Sequence, residues 1–186
     1  MSLLSRTRTG LARLSRGAAL AGLYLLFLTA LGVSADILVR KLFGVAFVGI
    51  DELGGYAMAL ATSWALSHAF LEGAHIRVNI VHMNLRPAAK AWLDVAAVLV
   101  TAVMIGLLAW QVWIVAFESL VFDAVSNTPL RLPLWIPQFL FLVGIALFLV
   151  SSVVVFLESL GHAAKGRYDE VVALVEERGQ TGEYTL

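Results

Sequence analysis

Four long apolar runs, separated by shorter polar segments, organise this chain: residues 17–39, 53–70, 91–117 and 134–157. A helix that crosses the hydrocarbon core of a bilayer needs about 20 mostly apolar residues. The pattern therefore predicts an all-α membrane protein of four transmembrane helices, the second being the least hydrophobic. No internal repeat accompanies it. The runs divide the chain into a basic tail at 1–16, a four-helix transmembrane domain at 17–160 and a polar tail at 161–186.

Arg6, Arg8, Arg13 and Arg16 precede the first run, and Val33-Ser34-Ala35 lies near its end. A signal peptide cleaved before Asp36 has the same ingredients. The run is longer than a usual signal core and further runs follow, so the sequence predicts an uncleaved helix. Arg77, Arg86 and Lys90 lie between the second and third runs, and Lys165, Arg167 and Arg178 follow the fourth. The other two connections hold only Arg40, Lys41 and Arg131. By the positive-inside rule both termini are predicted in the cytoplasm.

The second run carries two ridges of small residues at four-residue spacing: Gly55, Ala59, Ser63, Ser67 and Ala57, Ala61, Ala65, Ala69. A step of two residues turns a helix by about 200°, so the ridges occupy nearly opposite faces. Small residues let helix backbones approach closely in lipid. This helix is thus expected to be packed on both sides. Trp64 and His68 share a face with Tyr56 and Leu60, where His68 is expected to hydrogen-bond a neighbouring helix.

At the far end of the first run, Asp36 and Arg40 are spaced to pair along a helix. Asp51 is placed to cap the second helix, and Glu52 beside it can reach Arg40 or Lys41. The connection 41–50 is itself apolar, which suits burial in the membrane interface or against another protein. Between the second and third runs, Ile76, Ile80 and Met83 fall on one helical face and His75, Asn79 and His82 on another. That predicts an amphipathic helix lying in the membrane plane. Pro133 and Pro137 suit the first turns of the last helix, and Trp135 suits the interfacial belt. The stretch 168–178 can form a short helix with Tyr168, Val171, Val172 and Val175 on its apolar side.

Composition adds mainly exclusions. Hydrophobic residues make up 60% and charged residues 14%, against about 45–50% and about 25% in soluble domains. Mean hydropathy is +0.88. Net charge is zero and cysteine is absent, so neither nucleic-acid binding nor thiolate chemistry is indicated. Inside the runs the polar side chains are few: His68, Gln111, Asp94 near one end, and scattered hydroxyls. They form no nucleophile–base constellation, so no catalytic, cofactor-binding or metal-ligating residue is assigned and the chain reads as no enzyme.

Several of these segments, in this order, resemble the DctQ-like small membrane subunit of tripartite ATP-independent periplasmic (TRAP) transporters. They are Asp36-Ile37-Leu38-Val39-Arg40 with Gly44, Glu52 opening the second helix, and Gly73-Ala74-His75-Ile76-Arg77-Val78-Asn79-Ile80 with Leu85 and Pro87 beyond it. Leu132-Pro133-Leu134-Trp135 with Pro137 completes the set. Asn79 stands where the family often has aspartate. The resemblance implies a bacterial inner-membrane subunit bracing a large DctM-like transport subunit. It also implies a periplasmic solute-binding protein as a further partner, and sodium-coupled import of an organic acid. Asp36, Arg40, Glu52, Gly55, Ala59, Ser63, Trp64, His68, Gly73, His75, Asn79, Pro133 and Trp135 are the structural or subunit-interface candidates. A self-contained homo-oligomeric channel or exporter is the alternative reading, and a membrane-bound redox or hydrolytic enzyme a further one.

Overall fold

The computed structural model describes residues 3–45, 47, 49–73 and 85–176. Among these residues the chain forms five helices and no strand: α1 (Leu3–Phe43), α2 (Ile50–Leu71), α3 (Pro87–Val121), α4 (Trp135–Ala164) and α5 (Tyr168–Glu176). The in-plane helix expected between the second and third runs, with His75, Asn79 and His82, lies outside the described residues. Three helices are long and apolar enough to cross a membrane: α1 from Thr7, α3 and α4. At 22 residues α2 is long enough as well, but its glycines, serines and other polar residues keep it from containing a stretch as apolar as theirs.

Local chemistry sets the helix ends. Gly49 (φ 87°) and Gly73 (φ 71°) bracket α2 in the left-handed conformation that glycine alone adopts cheaply. Gly73 donates its N–H to the Phe70 carbonyl and Glu72 to that of His68, which closes the last turn. The cap at the other end corrects the sequence expectation: Gly49, not Asp51, is the N-cap. Its left-handed turn starts the helix one residue before Asp51, so both carboxylates fall inside the first turn. Pro87 opens α3, where a missing N–H leaves no helix bond unmade. Pro137 lies in the first turn of α4, whereas Pro133 precedes the helix.

The four long helices stand side by side in the order α1, α2, α4, α3. Matched contacts show that α2 and α4 run parallel: Ser63 meets Gly144 and Ser67 meets Ser151. Helix α1 crosses α2 the other way, with Gly22 against Ala61 and Gly32 against Ile50. Helix α1 also packs directly on α4, so this is a bent, open layer rather than a flat one. Connections 44–49 and 122–134 meet at one end, the crown. The opposite end, the base, holds the outset of α1 and all of α5.

At 41 residues α1 reaches about 60 Å, twice the hydrocarbon thickness. Its surplus is used at the base, where Leu11 and Ala12 pack on Leu71, Val98 and Val155 together with Leu174 of α5. Arg8 reaches both Glu158 (3.9 Å) and the Leu174 carbonyl (3.4 Å). Helix α5 docks under α3 and α4 through a completely buried Val171, which joins Ala91, Val95 and Ala163. Gly166 (φ 71°) allows the reversal between α4 and α5. Val171→Asp should therefore release α5. In detergent, trypsin cleavage after Arg167 is expected to accelerate by about tenfold or more, because local opening sets the rate; unchanged cleavage would show that α5 is held by something other than this contact.

Candidate functional site

The small-residue ridges of α2 meet different neighbours. On one side Ala61 approaches Gly22 of α1 so closely that a methyl group on Gly22 would lie 2.9 Å from the Ala61 Cα. On the other side, a methyl group on Gly144 of α4 would lie 2.6 Å from the Ser63 hydroxyl and 2.7 Å from both Ser63 carbonyl carbon and Trp64 Cδ1. The two backbones touch there. A helix carbonyl normally accepts from the N–H four residues on, so the Leu140 carbonyl sits beside Gly144. With no side chain at 144 to cover it, this carbonyl also accepts from the Trp64 indole at 3.0 Å.

One turn further, the Ser67 and Ser151 hydroxyls are 2.7 Å apart and Ser151 donates to the Leu147 carbonyl. The rings of Phe70 and Phe148 then meet at 5.3 Å. Ser63, Ser67 and Ser151 are all fully buried, so the seam is polar in places yet has its hydroxyls satisfied. The same ridge changes character toward the crown: Gly55 and Ala59 are exposed, and nothing lies within 4 Å of where a Gly55 side chain would begin. His68 is half-buried, and its Nδ1 is buried without a hydrogen-bond partner among the described residues.

At the crown Asp36 is 1% exposed although it carries a carboxylate. One oxygen accepts from Arg40 at 2.5 Å and the other from the Phe47 N–H at 2.6 Å. Asp36 thus ties the end of α1 to the connection that follows it. Glu52 makes a longer-range tie. Its oxygens accept from the Tyr56 hydroxyl at 2.5 Å and from the Thr128 hydroxyl, not from Arg40 or Lys41 as the sequence suggested. The connection 122–134 has its own frame: Ser126 and Leu132 bond through their backbones, Leu132 N–H also donates to the Ser126 hydroxyl, and Leu134 N–H donates to Ala124. That frame presents Thr128 to Glu52. Glu52 sits in the first turn of α2, at the crown, where the Thr128 and Tyr56 hydroxyls hold its carboxyl below the usual range.

Gly49 completes the crown. Its Cβ position would be 3.0 Å from that of Leu130, so the two connections are in van der Waals contact. Below them Trp135 packs edge-on to Phe139 at 6.4 Å, and Phe139 to Trp113 of α3 at 5.9 Å. Pro133 pairs antiparallel with Val125 as the chain returns toward α4.

The structure thus gathers the candidates into two groups. Asp36, Arg40, Glu52, Pro133 and Trp135 are at the crown; Ser63 and Trp64 lie in the α2–α4 seam, toward whose other end Ser67 lies. Gly55 and Ala59 are on an open face, and Gly73 terminates α2 at the base. His75 and Asn79 lie outside the described residues. Sequence reasoning missed Thr128, Ser126, Phe47, Gly22 and Gly144. Only the glycines carried a signal, as isolated breaks in apolar helices that often mark close approach.

No curated protein and no solved structure matches the chain. A family model described as the DctQ component of tripartite ATP-independent periplasmic transporters matches residues 29–162, from the middle of α1 to the end of α4. It spans the Asp36 tie, the α2 ridges, the crown and the seam. That family is a transporter component and not an enzyme. The chain belongs to the DctQ family: it is the small membrane component of a TRAP transporter.

Proposed function

We propose that this chain braces the large DctM-like component of its transporter in the inner membrane. In this reading it crosses four times, with the crown in the periplasm and both termini in the cytoplasm. The crown then helps dock the periplasmic solute-binding protein, and the complex imports an organic acid with sodium. The observation that carries the bracing role is the open layer. Its helices are joined by backbone-close seams, while its faces expose large apolar side chains such as Leu28, Leu107 and Met104. The grooves at Tyr56–Phe141 and Leu25–Leu140 are apolar and offer a charged solute nothing to bind. Helix α2 supports the fourth crossing, since it packs lengthwise between α1 and α4 and spans about 33 Å. The basic residues gathered on the side of the base support the orientation.

Reconstitution tests this directly. Liposomes with the large component, the binding protein and this chain should take up substrate. Liposomes lacking this chain should fall to background, and this chain alone should transport nothing. Uptake by the chain alone would favour a self-contained channel, and full uptake without it would end the bracing reading.

A further inference from the structure

The end of α1 and the connection after it are apolar and open: Leu42, Phe43, Val45 and Phe47 are each more than half exposed. They continue an exposed apolar stripe that climbs α1 through Leu28, Leu31 and Leu38. The connection does not rise away from that stripe. Gly44 (φ 68°) reverses the chain, and the Asp36 carboxylate holds the Phe47 N–H at 2.6 Å. Asp36 lies two helical turns before Phe43, about 10 Å back along the axis, so the connection has folded back beside α1. We infer that Leu42, Phe43, Val45 and Phe47 form a wedge in the bilayer interface at the crown, their side chains among acyl chains and Lys41 on a phospholipid phosphate. The inference rests on α1 crossing the membrane and not on the bracing role.

Three features select lipid as the occupant. The first is depth. Helix α1 carries no charged residue between Arg16 and Asp36, a length of about 30 Å that matches the hydrocarbon core. Asp36 therefore marks the crown-side edge of that core, and its bond brings Phe47 to the same edge. The second is the backbone. The Gly44 N–H donates to the Arg40 carbonyl at 3.0 Å and the Phe47 N–H to Asp36. An unmade N–H is costly where water is scarce, whereas a solvated connection has no need of a carboxylate that is 1% exposed to satisfy one. The third is charge. Arg40 and Lys41 form the basic last turn of α1. Arg40 commits a nitrogen to Asp36 and stays half-exposed; Lys41 is exposed and has no partner among the described residues. Headgroup phosphates supply, at this depth, the anion that the fold does not, while the apolar side chains beside them enter the acyl boundary.

The chain has no cysteine, so a nitroxide can be attached at single sites of the full-length protein. Phe43→Cys and Phe47→Cys test the wedge. Leu28→Cys on exposed α1 and Asn127→Cys on the exposed connection 122–134 are the references. Each labelled chain is reconstituted in phosphatidylethanolamine–phosphatidylglycerol vesicles, alone and with the large component. Electron paramagnetic resonance then compares collisions with oxygen, which concentrates among acyl chains, and with a nickel chelate, which stays in water. Oxygen should dominate at 28, 43 and 47 and nickel at 127, and the large component should leave 43 and 47 unchanged. Asp36→Ala cuts the tie and should reverse the ratio at 47; Lys41→Glu repels a phosphate and should raise nickel collisions at 43. Nickel dominance at 43 and 47 in the otherwise unaltered chain would overturn the wedge, whether or not Asp36→Ala folds. So would a loss of oxygen collisions there when the large component is added, since a protein would then own the surface. A Lys41→Glu chain that reads like its parent would overturn the phosphate contact. Nickel dominance at 28 would instead overturn the crossing by α1, and with it the proposed function.

Discussion

Gly144→Leu is expected to separate α2 from α4 and to leave little chain that purifies as a single species. Even the first carbon of a side chain at this position would sit 2.6–2.7 Å from Ser63 and Trp64, and one of those atoms is main-chain carbon that cannot rotate away. The helices must then part. Parting them removes the Trp64–Leu140 bond and the Ser67–Ser151 contact in a medium with no water to replace them. Gly144→Ala should destabilise by about 1–3 kcal/mol, the usual cost of overpacking a well-filled seam, and Gly144→Leu by more. Thermal unfolding in detergent, followed by the five tryptophans, measures this. Gly55→Ala is the control, since that position faces open space. If Gly144→Ala and Gly55→Ala melt alike, the seam is looser than its geometry states.

Glu52→Ala should loosen the crown without harming the seam. The carboxylate is the group that fastens connection 122–134 to α2, through Thr128. Without it, amide exchange at Ser126 and Leu132 is expected to quicken by about tenfold or more, as for a loop that has lost its tether. Thr128→Val should produce much the same change, and the double variant little beyond either, because both remove one link. Acid should mimic them. Since the carboxyl titrates below its ordinary value of 4.5 in the folded chain, its contribution is complete above that value and is lost as the pH falls through the depressed one. Additive effects of the two substitutions would show that Glu52 and Thr128 act separately.

The sequence is most informative where a structure depends on near neighbours. Asp36 and Arg40 are one helical turn apart, so their pairing was readable before any fold was known. The existence of the long helices was equally plain from their apolar runs. What was not readable depended on distant partners. Thr128 stands 76 positions from Glu52, while Arg40 and Lys41 stand close by with the right charge, and local reasoning chose the near cations. Asp51 has the right chemistry for a cap, but a left-handed Gly49 needs no side-chain oxygen to begin a helix. The two α2 ridges announced close packing, although only the fold shows that one ridge divides between a filled seam and an open groove. Gly22 and Gly144 were visible as glycines, yet nothing in their own neighbourhoods named Ala61 or Ser63. Nor did the run starting at Gly17 disclose that α1 would continue back to Leu3; that extension is held by contacts with α5, far along the chain.

The layer's chain directions also give it an electrical polarity. Its two central helices, α2 and α4, both begin at the crown, whereas the flanking pair begins at the base. Peptide dipoles therefore place two partially positive ends side by side in the middle of the crown and two partially negative ends in the middle of the base. Only one of the two positive ends is answered within its own first turn: Asp51 and Glu52 open α2, whereas the first turn of α4 holds no acidic residue. A partner reaching the middle of the crown thus meets two unlike helix starts, one with carboxylates built into it and one whose positive end is left to attract an acceptor.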